Sequence, residues 1–337
     1  MAVDLSTTYL GMRLENPLIA SACPLTSTLE SLEGLRQAGV AAAVLPSLFE
    51  EQVEHDELEL ARLLDFWALS SPESPSYFPE LNTYNTGPGD YLDLIADARR
   101  RLDMPIVASL NGNSAGGWLR YAGLIEQAGA SALELNIYHV PLDGSEDAAA
   151  VERRYAHVVR ELRAEVRLPL AVKVGPFFSA PVALARQLVQ AGANGLVLFN
   201  RYLAPDIDLE TLKYVPALEL SRPEELRLVL RWLAAMRDQL ETTLVATGGV
   251  HTAADVIKAL LAGADAVALA STVLIHGPAH ITHMLDEFKG WLEQHKYLSV
   301  QQMRGSMSLQ HCSNPEGLQR ANYMRALTSY TPSQTLR

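Results

Sequence analysis

Residues 243–272 read TLVATGGVHTAADVIKALLAGADAVALAST, and the order of residue types in them sets the fold of the chain. Positions 243–249 are a short apolar run bounded by a glycine pair, as expected of a strand buried on both faces. Thr252 then precedes an apolar pattern of helical period, with Asp255 three residues on. The Thr252 hydroxyl can accept a first-turn N–H while the carboxylate returns the bond, which is a helix start signal. Leu261-Ala-Gly-Ala closes the helix, its glycine supplying a left-handed stop, and 266–271 form a second apolar run. Strand, helix and strand in this order make one unit of a parallel sheet covered by helices.

The unit recurs outward from this stretch. Gln127-Ala-Gly-Ala and Gln190-Ala-Gly-Ala also end helical segments just ahead of apolar runs. The pattern predicts strands at 17–23, 41–47, 105–111, 132–137, 169–175, 195–200, 243–249 and 266–271. Eight strands alternating with helices is the number of a (β/α)8 TIM barrel. Ser221 is expected to cap a helix whose first turn holds Pro223. No linker divides the chain, so residues 1–337 read as one domain, with a barrel from about 10 to 295. Two stretches fall outside the repeat. Residues 48–89, with Ser71-Pro-Glu-Ser-Pro-Ser and Asn85-Thr-Gly-Pro-Gly, predict a long loop insertion after the second strand. Residues 296–337 predict a C-terminal helical tail packed on the barrel or on a partner subunit.

Composition narrows the function. With 337 residues, 48% hydrophobic and 20% charged, the chain can bury a large core. Its 39 acidic against 27 basic residues leave a net charge of −12, a field that repels nucleic acid and anionic membranes and favours a small-molecule ligand. The two cysteines, Cys23 and Cys312, form no close pair, so neither a metal site nor a disulfide framework is implied. Residues 1–11 lack the marks of a signal peptide and no apolar run is long enough to span a bilayer, which predicts a soluble, cytoplasmic protein.

The chemistry gathers at predicted strand ends, where barrels bind their ligands. After the last two strands stand Gly248 and Gly249, which let the backbone approach a phosphate, and Ser271 and Thr272, which add hydroxyl donors. Lys173 lies within the apolar run Leu170-Ala-Val-Lys-Val-Gly. A buried ammonium needs a partner: either a ligand, such as the electron-rich edge of a flavin, or Glu134 on the neighbouring strand. Asn136 and Asn200 end strands, and Asn82 lies in the long insertion; amides suit a planar ligand with alternating carbonyl and N–H groups.

Taken in order, Asn16-Pro-Leu-Ile-Ala-Ser-Ala, Asn82 with its loop, Glu134-Leu-Asn136, Val172-Lys173 and Thr247-Gly-Gly-Val resemble the soluble, FMN-dependent branch of the dihydroorotate dehydrogenase family from about Leu10 to Pro278. The resemblance implies an oxidoreductase acting on a CH–CH bond. It implies FMN held by Ala20, Ser21, Asn111, Asn136, Lys173, Gly248, Gly249, Ser271 and Thr272, and substrate held by Asn82, Asn136 and Asn200. It also implies a role in pyrimidine biosynthesis and a homodimer.

The sequence departs from that family at the substrate. Family members carry a Cys or Ser base three residues after the fourth-strand Asn, where this chain has His139. Tyr138 replaces the preceding Ser, Val140-Pro141 replaces Pro-Asn, and Pro46 stands where the soluble branch has a lysine. Histidine is a competent base near neutral pH, which makes His139 the first candidate for proton removal and Tyr138 the second. The expected substrate is dihydroorotate or a related dihydropyrimidine or cyclic imide. With no second nucleotide fold and no cysteine set for an iron–sulfur cluster, the electron acceptor is diffusible or borne by a partner. Two other readings fit the same residues: a flavin-free, phosphate-binding barrel isomerase or lyase, and a flavin-binding partner without enzymatic activity.

Overall fold

A computed structural model describes residues 3–53, 88–112, 114, 116, 119–142, 144–317, 323 and 328. In chain order its strands are β1 (Thr7–Tyr9), β2 (Met12–Leu14), β3 (Leu18–Ala20), β4 (Ala42–Phe49), β5 (Ile106–Asn111), β6 (Ala132–Asn136), β7 (Leu170–Val174), β8 (Gly195–Leu198), β9 (Asp206–Asp208), β10 (Lys213–Val215), β11 (Thr243–Thr247) and β12 (Ala266–Leu269). Strands β3 to β8, β11 and β12 pair in parallel and close into a barrel, with β12 beside β3. The eight predicted strands are these eight, shifted by a few residues at their ends.

Alternation along each strand splits the apolar residues into two concentric cores. Ile19, Val44, Val107, Ala171, Val197 and Val245 fill the barrel itself. Leu18, Leu45, Ile106, Leu133, Val172, Leu196 and Leu244 face outward and pack against the helices. The small inner set leaves the lower end of the barrel to be plugged, and the β1–β2 hairpin does so with Tyr9, Leu10 and Leu14. Gly195 makes room for it, since a Cβ there would stand 2.6 Å from the Leu10 side chain.

The signals that marked the helix ends hold. Thr252 and Asp255 form a reciprocal cap on the helix Ala253–Ala262, and Gly129, Gly192 and Gly263 all adopt positive φ. Ser221 does not act as the expected cap. The helix it precedes opens with a 3-10 turn, Pro223–Glu225, capped at Arg222, and the Ser221 hydroxyl bonds Ser271 Oγ instead, at 2.8 Å.

The segment after residue 295 packs on the barrel exterior. Leu298 and Val300 pair with the backbone of Asp4, and Arg304 reaches the buried Asp265, which Arg237 and the Leu244 N–H also bind. Of the predicted helical tail, the described residues show the short helix Val300–Met303 and helical backbone at 315–317, 323 and 328. Nearly all of the predicted insertion, including Asn82, lies outside the described residues. Among the described residues no helix is long and apolar enough to cross a membrane.

Candidate active site

The barrel register brings the candidate residues together. Asn111 of β5 pairs with Asn136 of β6, and Asn136 with Lys173 of β7, so three polar side chains sit abreast at the upper rim. Asn200, just past β8, donates from Nδ2 to Asn136 Oδ1 at 2.8 Å and fixes that amide's orientation. Below the rim Lys173 Nζ lies 3.5 Å from Glu134 Oε1, with side chains only 9% and 3% exposed. The ion pair considered from sequence therefore exists, and Lys173 also lines the mouth cleft, where a ligand would meet it. Glu134 Oε1 has no hydrogen-bond donor among the described residues.

The cleft, of about 490 Å³, runs from Lys173 and Ser21 past Asn200 and Thr247 to Gly248 and Ser271. The two glycines serve different ends. At Gly248, φ +85°, an added Cβ would meet no atom within 4 Å, so the missing side chain leaves open space in the cleft. At Gly249, φ +73°, a Cβ would run into the backbone of Arg222 and Leu226, the first at 2.9 Å; this glycine lets the 222–226 turn pack close. Ser271 Oγ accepts from both the N–H and the hydroxyl of Ser221, leaving its own hydrogen to point elsewhere.

Two expected cofactor contacts are placed differently. The Ala20 side chain belongs to the outer core between barrel and helices, because parity on β3 turns Ser21 toward the cleft and Ala20 away from it. Thr272 is fully buried and its hydroxyl bonds the His251 carbonyl at 3.2 Å. Cys23 stands near this region too; burial pushes its thiol up, opposed by hydrogen bonds at Leu25 and Thr26 and by the charge of Lys173.

The family model for dihydroorotate dehydrogenase matches residues 76–292, more than half of the sequence. The chain belongs to the dihydroorotate dehydrogenase family. The catalytic subunit of dihydroorotate dehydrogenase B (NAD(+)) from Shouchella clausii is 30% identical over 208 residues, 60% of this chain and 68% of that one. The corresponding subunit from Thermoplasma acidophilum is 24% identical over 312 residues, 90% of this chain and 98% of its own. Dihydroorotate dehydrogenase A (fumarate) from Lactobacillus delbrueckii subsp. bulgaricus is 32% identical over 181 residues, 50% of this chain and 57% of that one. The resemblance read from the motifs is thus borne out. Dihydroorotate dehydrogenases are FMN-dependent and act on CH–CH bonds.

The two residues in the base region of this family member stand apart from the cleft. His139 and Tyr138 line a second cleft of about 590 Å³ with Tyr155 and Phe178. His139 Nε2 lies 2.9 Å from Glu146 Oε2 and 3.3 Å from Arg154 Nη1, and Arg154 also binds Glu146. The Tyr138 hydroxyl accepts from the Leu203 N–H at 3.1 Å. Phe177 and Tyr202 line both clefts and meet edge to face with centroids 4.9 Å apart, forming a shared wall.

Sequence reasoning passed over several groups at the site. Ser221 drew attention only as a cap. His251 is buried and anchors the Gly248–Ser271 end of the cleft, its Nε2 on the Ser221 carbonyl at 2.7 Å. Arg201 and Glu225 line the main cleft as a pair. Burial works to raise Glu225, but the bonds from Arg201 and the Arg222 N–H outweigh it and hold the carboxyl below its ordinary range. The Pro223-Glu-Glu start was the available signal for Glu225; Arg201 had none.

Proposed function

We propose that the main cleft binds FMN and that the chain, working as a single barrel domain, oxidises dihydroorotate or a related dihydropyrimidine or cyclic imide. One observation carries the reading: Lys173 and Asn200, the latter bonded to the neighbouring Asn136, stand at one end of a cleft whose other end is Gly248 and Ser271. These residues fit the cofactor. The open space at Gly248, the spare hydrogen of Ser271 and a buried ammonium suit a phosphate at one end and an electron-rich ring at the other.

In this reading Ser21, Gly248, Gly249 and Ser271 hold the cofactor, Gly249 through the turn packed on it. When bound, FMN supplies the hydride acceptor for the dehydrogenation. Lys173 sets a positive charge beside the ring, and Glu134 fixes where that charge sits. Asn111, Asn136 and Asn200 orient the ring and the substrate through amide hydrogen bonds, with Asn82 joining them from the insertion. The proton of the adjacent carbon goes to His139, with Tyr138 as second choice; from their present bonds, either reaches the main cleft only when the 138–142 segment turns inward. A diffusible or partner-borne acceptor takes the electrons. The exposed Ile207, Leu209, Leu212 and Tyr214 around the β9–β10 hairpin support a homodimer, which light scattering tests.

The placement of His139 and Tyr138 outside the main cleft favours one second reading, a flavin-binding partner that does not turn over substrate. The visible spectrum of the purified protein, followed by anaerobic titration with dihydroorotate and dihydrouracil, separates the two. Yellow protein that bleaches supports the enzyme; yellow protein that never bleaches supports the partner. Protein that stays colourless with added FMN refutes both and leaves a flavin-free phosphate-binding barrel.

A further inference from the structure

Arg201 follows Asn200 directly in the loop past the end of β8, and Glu225 closes the 3-10 turn that packs on Gly249. Arg201 Nη1 and Glu225 Oε2 meet at 2.5 Å, and both side chains line the main cleft. They are 32% and 44% exposed, and ion pairs at the water's edge are weak and readily exchanged. The cleft's other described cation, Lys173, is 9% exposed and committed to Glu134. Arg201 is different: one carboxylate engages one arm of its planar fork, and the rest has no side-chain partner among the described residues.

We propose that Arg201 is a specificity-determining residue of this cleft: it exchanges Glu225 for an oxyanion of the bound ligand and so selects anionic ligands over their neutral analogues. This rests on the flavin-dependent dehydrogenase reading and adds a charge filter to it. The backbone of Arg201 stands at the asparagine end and its guanidinium beside the turn on Gly249. Two oxyanions therefore belong to the class it reads, the phosphate of FMN and the carboxylate of a dihydroorotate-like substrate. A fork-shaped guanidinium binds either in bidentate fashion. Glu225 is the competitor that any such ligand must displace, so removing its charge strengthens the selection.

The test uses the purified full chain with Arg201→Gln and Glu225→Gln, and measures binding without turnover. Flavin fluorescence gives the affinities for FMN and riboflavin; perturbation of the flavin absorbance gives those for orotate and uracil. Arg201→Gln is expected to reduce the preference for the charged member of one pair by about 10-fold or more, the size of a lost hydrogen bond to a charged group. The neutral member should bind as before. Glu225→Gln should raise the same preference. A change confined to FMN over riboflavin identifies the phosphate, and one confined to orotate over uracil identifies the carboxylate. Both ratios staying within about twofold of wild type in Arg201→Gln overturns the proposal, as does a Glu225→Gln variant that loses preference as Arg201→Gln does. A wild type that binds neither flavin overturns the dehydrogenase reading along with this one, whereas flavin binding with unmoved ratios overturns this one alone.

Discussion

Replacing Lys173 by methionine removes the cation from a pair whose side chains are 9% and 3% exposed and whose charged atoms lie 3.5 Å apart. Glu134 is then left buried, its Oε1 already without a hydrogen-bond donor. Stranding one member of a buried ion pair costs about 3–5 kcal/mol, whereas replacing both with apolar groups of similar volume is often neutral or stabilising. Lys173→Met should therefore lose about 3–5 kcal/mol in urea unfolding of the flavin-free protein. Lys173→Met combined with Glu134→Leu should recover most of that loss. The double variant then isolates the ligand role, since its scaffold is restored while its charge is gone. Losing a charge-assisted contact of about 1.5–3 kcal/mol should weaken FMN about 10- to 100-fold, read by flavin fluorescence. A single variant as stable as wild type would refute the buried-pair argument. A double variant with wild-type FMN affinity would remove Lys173 from the cofactor.

Gly249→Ala should destabilise the fold, because its Cβ meets the backbone of Arg222 and Leu226 at positive φ. Gly248→Ala faces open space, so it should cost only the left-handed backbone term of about 1–2 kcal/mol yet impair FMN binding; thermal melts with and without FMN separate the two. Burial, reinforced by Glu134, holds the Tyr9 phenol far above its ordinary range, and burial does the same at Tyr91 against an opposing Ser109 hydrogen bond. Raised folded-state values mean stability that is complete below about pH 10 and is lost as pH rises beyond it, so alkaline titration of unfolding should show a fall that Tyr9→Phe reduces. At neutral pH Tyr9→Phe should be harmless, since its hydroxyl has no partner among the described residues, while Tyr91→Phe should cost about 1–3 kcal/mol by orphaning the Ser109 N–H that it accepts. If His139 is the base, His139→Ala should slow flavin reduction by dihydroorotate about 10²- to 10⁴-fold with flavin content unchanged; a parental rate in that variant with a failing Tyr138→Phe moves the role to Tyr138.

The barrel was legible because its evidence is local and repeated. Capped helices, Ala-Gly-Ala stops and wholly apolar strands each follow from their own few residues, and eight of them in series admit few architectures. What escaped depends on contacts between distant segments. The β9–β10 hairpin turns at Leu212, which holds positive φ without being glycine, so no turn residue announces it. Thr272 looks like a free hydroxyl until the approach to the helix Ala253–Ala262 sets the His251 carbonyl against it. His139 stands at the family's spacing from Asn136, yet a spacing fixes distance along the chain and not the direction of a loop; Glu146 and Arg154 decide that direction here. Ala20 and Ser21 differ by one residue and therefore by a whole face of the sheet, which motif matching ignores and strand parity does not.

The edge-to-face pair of Phe177 and Tyr202 divides the space above the barrel into two rooms with a single movable partition. Widening one room by rotating either ring narrows the other, with the floor of strand ends untouched. Under the proposed function these two aromatic rotors on loops would govern substrate size with no change in the barrel: small side chains at these two positions would merge about 490 Å³ and about 590 Å³ into one chamber, opening the Lys173–Asn200 end to ligands far bulkier than a single pyrimidine.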